Sequence, residues 1–333
     1  MKRRVILRAD GNSKIGLGHV HRIYALAQIL EPHFDCIINI QEPSSSIYNL
    51  FGTKFIVHSL PNSIYGSEAF YNELVNEVTD TDIVVLDGYG FNTEYQRRLK
   101  ARAYKLVSID DIHQTHFLSD VIINHSGGIT DSDYDYEPDS VLLLGPAYTL
   151  IKKEFLHSVR KENLNQFPPS ILINFGGADP QNKTLTTLES LLNNFLDFGH
   201  LHIIVGSAYL YLKELQQVIK SAVPAVFLHT DCTTEEVISI MHQCNVAILA
   251  PSTILFEYVT IRGLAFIEQT ADNQKDVYDY FISSQLALPV SYLNEILTSE
   301  KVYMAKASKL IANQNKVFDR KSGDRLLKIF LNL

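Results

Sequence analysis

Short apolar runs alternate with stretches of helical spacing along nearly the whole chain. In the first half, runs at 4–8, 35–40, 54–58, 83–86, 105–109, 121–124 and 141–144 have strand length, while 20–30 and 95–102 carry helical periodicity. The second half repeats the rhythm. Strands are expected there at 170–175, 202–205, 225–228, 246–249 and 265–268, and helices at 183–195, 210–221, 234–243, 254–262 and 274–284. Strand, crossover helix, strand predicts an α/β protein built on parallel sheets with both faces covered. Two such units meet over 151–169, a charged segment ending in Phe167-Pro168-Pro169, where proline opposes continued helix. The expected organisation is a Rossmann-like domain over 1–150, a linker over 151–169 and a second Rossmann-like domain over 170–333.

Composition narrows the class. A chain of 333 residues exceeds one ordinary core and suits two domains of about 150 residues each. Hydrophobic content of 46% and charged content of 20% describe a soluble globular protein. The formal charge of −8, with no basic stripe, argues against a nucleic-acid partner. Cys36, Cys232 and Cys244 read as reduced cytosolic thiols. Lys2, Arg3 and Arg4 imitate the start of a signal peptide, but the apolar run after them stops at Arg8 and Asp10. Nothing approaches the ~18 apolar residues of a membrane span. The expected setting is the cytoplasm, without membrane insertion; no oligomeric state is legible.

Ligands of such sheets bind beyond the carboxyl ends of the strands, so the expected place is a cleft between two facing sheets. Residues 5–30 are the most informative. An apolar strand runs into a loop with Gly11, Gly16 and Gly18, and a helix begins near His19. Glycine permits positive φ and close approach to a ligand, and the free N–H groups of a helix start cradle an anion such as a diphosphate. An imidazole at that point suits proton transfer. Asp10, Asp87-Gly88-Tyr89, Asp110-Asp111 and Asn124-His125 follow other strands, where Asp and Asn serve equally as caps or turn residues. In the second half Gly176 and Gly177 allow a tight turn against phosphate or sugar. Ser252 and Thr253 open the helix carrying Glu257, either as caps or as a phosphate site with Glu257 near ribose hydroxyls. Ala271-Asp272-Asn273-Gln274 follows the strand at 265–268.

Other chemistries fit less well. Gly16-Leu17-Gly18 has His21 where a dinucleotide fingerprint needs its third glycine, and no P-loop motif occurs. His113 and His116 beside Asp110 and Asp111 match no standard zinc spacing, so neither metal nor cofactor is expected.

The opening R-A-D-G-N-S-K-I-G-L-G-H-V-H-R resembles the first motif of the nucleotide-sugar hydrolases of pseudaminic acid biosynthesis, the UDP-2,4-diacetamido-2,4,6-trideoxy-β-L-altropyranose hydrolases. The likeness continues through Leu86-Asp87-Gly88-Tyr89-Gly90, Ile109-Asp110-Asp111, Ile123-Asn124, Leu144-Gly145-Pro146-Ala147-Tyr148, Phe175-Gly176-Gly177-Ala178-Asp179-Pro180, the 252–257 helix start and Asp272-Asn273-Gln274. It implies the GT-B glycosyltransferase fold, in which the tail often returns to the first domain; the helical spacing of 317–333 is compatible with that. It implies His19 as the catalytic base, Tyr89 and Asn273 on the sugar, and UDP on the second domain. There Ser252, Thr253, Glu257 and the 230–233 turn with Asp231 and Cys232 are implicated. Gly16, Gly18, Arg22, Gly176, Gly177 and Gln274 are further expected substrate contacts, and Asp10 is expected to orient the imidazole or the water. Gly88 departs from the family pattern, which often has a larger residue there. The implied activity is inverting hydrolysis of a UDP-sugar at its anomeric C–O bond. A GT-B glycosyltransferase and a non-catalytic nucleotide-sugar-binding protein are the alternatives.

Overall fold

The computed structural model describes residues 2–11, 16–158, 166–194, 198–222 and 225–333. Residues 12–15 of the opening motif, 159–165 of the expected linker, and Phe195 at the end of one expected helix lie outside them. The chain divides into two compact units. The first comprises Met1–Lys153 with Lys321–Leu333, and the second Glu154–Arg320.

The first unit contains β1 (Arg3–Ala9), β2 (Phe34–Gln41), β3 (Ile56–Leu60), β4 (Ile83–Asp87), β5 (Lys105–Ile109), β6 (His116–Phe117), β7 (Val121–Asn124), β8 (Asp135–Tyr136) and β9 (Val141–Leu144). Seven of these form one all-parallel sheet in the order β3-β2-β1-β4-β5-β7-β9, while β6 and β8 pair separately. Strand order reverses between β1 and β4, where Ala9 lies opposite Asp87. That reversal is the switch point at which open α/β sheets leave a crevice for ligands.

Side chains alternate across the sheet, so each strand feeds two cores. Val5, Leu7, Ala9, Ile83, Val85, Val107, Ile109, Val121 and Ile123 pack on one side with α1 (Gly18–Leu30) and α2 (Ser45–Phe51). Ile6, Val84, Leu86 and Leu106 pack on the other with α3 (Glu68–Asn72) and α4 (Thr93–Lys100).

The second unit opens with α5 (Lys153–His157) and alternates β10 (Ile171–Asn174), α6 (Lys183–Asn193), β11 (Leu201–Val205), α7 (Leu212–Ser221), β12 (Val226–Thr230), α8 (Thr234–Gln243), β13 (Val246–Leu249), α9 (Thr253–Thr260), β14 (Leu264–Ile267), α10 (Lys275–Ser283) and β15 (Leu288–Pro289). Its parallel sheet runs β12-β11-β10-β13-β14-β15, with the reversal between β10 and β13. Then come α11 (Leu293–Leu297), α12 (Glu300–Val317) and α13 (Ser322–Leu331). Phe318 is buried and Arg320 adopts φ 65°, so the helical pattern over 317–333 is broken before α13 begins. Leu326 and Phe330 of α13 are fully buried in the α1-side core of the first unit, where Phe330 meets Phe34 edge-on at 6.4 Å.

Two differences from the sequence reading have simple causes. The strand expected at 54–58 begins at Ile56, because Phe55 turns into a cluster with Tyr24 and Phe51 before pairing starts. The long α12 has no counterpart among the expected elements. Its buried stripe is only Tyr303, Ala307, Leu310 and Gln314, too narrow to stand out from a polar surface helix.

Candidate active site

The first polar cluster lies where β1, β4, β5 and β7 end, on the face covered by α1. Alternation decides its membership. Asp87 shares the face of Ile83 and Val85, Asp111 that of Val107 and Ile109, and His125 that of Val121 and Ile123. From α1, His19 and Arg22 stand one turn apart and meet these residues. His19 Nδ1 is 2.7 Å from Asp87 Oδ1. The Arg22 guanidinium donates through Nε (2.9 Å) and Nη2 (2.6 Å) to the two Asp87 oxygens, and through Nη1 (2.8 Å) to Asp111 Oδ2.

Arg22 Nη2 is also 2.6 Å from His19 Nδ1, so that nitrogen faces both a donor and an acceptor. A lone pair aimed at a buried carboxylate is the worse alternative, because like charge density then meets at 2.7 Å without a proton between. On that ground the Nδ1–H tautomer is assigned, donating to Asp87 and leaving Nε2 as the basic nitrogen, with the second Arg22 Nη2 contact served by Asp87 Oδ1. Burial works against ionisation of Asp87, but Arg22 and His19 outweigh it and hold the carboxyl below its ordinary value. Burial likewise opposes the Arg22 cation, yet Asp87 and Asp111 keep it charged far above its usual range. His125 is pushed down to about 4 by burial and by Arg22, so it is neutral near pH 7.

His19 itself is 4% exposed, and Tyr89 is its edge-on neighbour at 4.6 Å between ring centroids. Tyr89 is 41% exposed, so it continues the imidazole's surroundings out to solvent. The helix they flank begins at Leu17 with no capping side chain, and Gly16 holds φ 84°, a conformation costly for other residues. Gly18 is exposed, with nothing within 4 Å of where a Cβ would stand. Arg22, expected among the substrate contacts, is 5% exposed and committed to the two carboxylates.

Asp10, expected to orient the imidazole or the water, belongs to the opposite face with Ile6 and Arg8; the partner of the imidazole is Asp87. Asp10 is 4% exposed, accepting from Arg8 Nη1 at 3.0 Å and from the Tyr65 hydroxyl at 2.7 Å. Only glycine fits at position 88, since a Cβ there would lie 2.4 Å from Asp10 Oδ2.

The second-unit residues gather at the ends of β10 to β14. Gly176 adopts φ 93°, its N–H donates to Asn174 Oδ1 (3.0 Å), and Gly177 packs against Gly206 with a 2.9 Å main-chain hydrogen bond. Asp231 accepts from Ser207 N at 2.6 Å and so ties two strand-end loops together. Cys232, half-buried, has its thiol pushed up by burial and by Glu236 and Asp231, which favours the unreactive neutral form. Ser252 has the extended backbone of an N-cap but makes no capping hydrogen bond through its side chain. By contrast Ser44, Ser67, Asn92, Thr233 and Ser299 all cap their helices. Thr253 begins α9, and Glu257, one turn in, is 4% exposed. Gln274 Oε1 accepts from Thr270 N (2.8 Å) and Oγ1, bracing the loop that leaves Asn273 exposed.

Among the described residues no group of three or more His, Cys, Asp or Glu side chains is placed to hold a metal ion. No helix among them is long and apolar enough to cross a membrane.

No protein-family model matches the chain. It is 23% identical over 291 residues to the uncharacterized protein MJ1062 of Methanocaldococcus jannaschii, covering 84% of this chain but only 58% of that protein's length. It is 24% identical over 272 residues to the UDP-2,4-diacetamido-2,4,6-trideoxy-beta-L-altropyranose hydrolase of Campylobacter jejuni, covering 78% of this chain and 89% of that one. Among solved structures, a UDP-glucosyltransferase from Polygonum tinctorium superposes with a TM-score of 0.64 at 9% identity, over 98% of this chain and 97% of that one. Anabaena Alr3699/HepE in complex with UDP-glucose gives 0.64 at 12% identity, over 99% and 100%. At such identities the solved structures establish the architecture alone, and that architecture is GT-B: two Rossmann-like units of parallel sheet in one chain.

Proposed function

We propose that the chain is a cytoplasmic nucleotide-sugar hydrolase, cleaving a UDP-linked diacetamido-trideoxy sugar at its anomeric C–O bond with inversion and supplying the free sugar for nonulosonic acid synthesis of the pseudaminic type. The observation that carries this reading is the contact of His19 Nδ1 with buried Asp87 beside half-exposed Tyr89. A neutral imidazole whose Nδ1–H is engaged offers Nε2 as a general base. The class of substrate is taken from the Campylobacter jejuni relative's name and from the opening motif.

In this mechanism Nε2 accepts a proton as water adds to the anomeric carbon. The electron pair of the breaking C–O bond passes to the diphosphate oxygen, and UDP departs. Charge growing on the diphosphate is met by unpaired main-chain N–H groups, which need no reorganisation as the reaction proceeds. The uncapped start of α1 near Gly16 and Gly18, and that of α9 at Ser252 and Thr253, are the candidates. Gly176, Gly177, Asp231, Cys232, Glu257 and Gln274 are assigned to the nucleotide, with Glu257 on the ribose. Tyr89 is assigned to the sugar, and Asn273 is kept there on the resemblance alone.

His19→Asn is the test. Hydrolysis should fall about 10²-fold or more while UDP binding by calorimetry is retained; near-normal turnover would remove His19 from the mechanism. The second reading, a glycosyltransferase, is favoured by the GT-B architecture shared with a UDP-glucosyltransferase. Incubation with the UDP-sugar and no acceptor separates the two, since rapid UDP release belongs to the hydrolase.

A further inference from the structure

On the face of the sheet opposite His19, β1 buries a complete cation, Arg8, which is 0% exposed. Its Nε donates to Glu73 (2.7 Å) and its Nη1 to Asp10 (3.0 Å), while the guanidinium lies 4.9 Å over the Phe91 ring. Glu73 is fixed in turn by the Tyr95 hydroxyl (2.7 Å) and Gln41 Nε2 (2.6 Å). A buried charge with this many directional partners is rigid, because any rearrangement strands an ion in low dielectric. The network reaches toward solvent at half-buried Gln41 and Ser63 on the Glu73 side and at Tyr65 on the Asp10 side. Asp10 Oδ2 accepts the hydroxyl of Tyr65, a residue 44% exposed.

An ordinary surface tyrosine buries its ring and wets its hydroxyl. Tyr65 is turned the other way. Its hydroxyl donates inward to a 4%-exposed carboxylate, while the residue as a whole stays 44% exposed. The ring rests on Gly90, where a Cβ would come within 2.9 Å of two ring carbons, and touches Phe70 at 5.0 Å between centroids. Residue 89, between the two glycines, is the half-exposed tyrosine that meets His19. The short 88–90 turn thus carries one exposed ring on its middle residue, against the imidazole, and a second resting on Gly90 and anchored through Asp10.

Resting on the hydrolase reading, we propose that Tyr65 is a specificity-determining residue of the His19 site, an apolar wall for the C–H-rich face of a deoxy sugar, and that Asp10 is a positioning residue holding that wall. Asp10 is poorly placed to exchange protons with a substrate, since Arg8 and Tyr65 occupy its two oxygens. A trideoxy sugar, with a C6 methyl in place of a hydroxymethyl group, presents more of the carbon surface that a fixed ring favours. A fully hydroxylated sugar at the same place would lose hydrogen bonds to water without replacement.

The experiment is a double-mutant cycle on Asp10→Asn and Tyr65→Phe with Tyr65→Ala beside it, each variant checked by thermal melting. Tyr65→Ala should raise KM for the UDP-diacetamido-trideoxy sugar about tenfold, leave UDP affinity unchanged, and narrow discrimination against UDP-N-acetylglucosamine. Asp10→Asn and Tyr65→Phe should each raise KM with kcat within about threefold, and together do no more than the worse single change. A loss of about 10²-fold in kcat for Asp10→Asn with KM unchanged would make Asp10 an acid or base and overturn the proposal, as would an unaltered KM and discrimination in Tyr65→Ala. The chain has no tryptophan, so Tyr65→Trp adds a single indole whose emission reports ligand arrival without turnover. Emission that responds to the UDP-sugar but not to UDP, in a protein that hydrolyses nothing, would sink the hydrolase reading and keep the wall. Hydrolysis with a silent indole would do the reverse.

Discussion

The Nδ1 of His19 and the Oδ1 of Asp87 stand 2.7 Å apart, one from the first turn of α1 and the other from the last residue of β4. In the proposed mechanism the carboxylate orients the ring and stabilises the imidazolium formed when Nε2 takes a proton. Asp87→Asn keeps the shape but can present its amide N–H to Nδ1, which favours the wrong tautomer. Hydrolysis should fall about 10²- to 10⁴-fold, read by UDP release at saturating substrate, with the melting temperature recorded alongside.

Arg22 is the counter-ion of that pair. Arg22→Met leaves Asp87 buried without its cation and should cost about 3–5 kcal/mol in urea unfolding. Arg22→Lys should recover only part of the loss, because one ammonium cannot reproduce the bidentate grip on Asp87 together with the Nη1 bond to Asp111.

Three histidines, His125 and His202 buried and His21 half-buried, weaken the fold toward acid. Burial, helped by Lys152, lowers His21 to about 3; burial with Arg22 lowers His125 to about 4; burial with His229 and His200 lowers His202 to about 4. The unfolded chain takes up these protons near pH 6.5, the folded chain only well below it. Stability is therefore fully present above about pH 6.5 and should fall steadily as pH drops toward 4. Thermal melts between pH 8 and pH 4 check this, and His202→Asn should flatten the slope.

Gly88→Ala tests the joint between the two polar networks. The new methyl would sit 2.4 Å from Asp10 Oδ2 and 2.9 Å from Phe91 Cε2. Destabilisation of about 1–3 kcal/mol by chemical denaturation is expected, with a raised KM if Tyr65 moves with Asp10.

Much of the first cluster is readable before any coordinates. Once β4, β5 and β7 are located, alternation puts Asp87, Asp111 and His125 on the side of α1, and the same rule parts Asp10 from His19. Asp10 and Asp87 both stand at a strand end on the same edge of the sheet, so position at the strand end alone does not separate them; the face does. The partnership of Arg8, Glu73 and Tyr65 has no such signal. Glu73 follows α3, and Tyr65 lies in the irregular segment between β3 and α3, where no periodicity announces a neighbour. In the second unit the glycine turn and the start of α9 stand out as motifs. That Asp231 and Gln274 brace their own loops depends on distances between strand ends that sequence spacing does not encode.

Because α13 completes the core of the first unit after the chain has built the whole of the second, the amino-terminal half cannot be finished when it leaves the ribosome. Phe34 and its neighbours wait uncovered until Leu326 and Phe330 emerge some three hundred residues later. A gene cut at the obvious midpoint should yield a sticky first fragment, whereas one that joins residue 153 directly to residue 321 restores a closed core and should express as a stable piece.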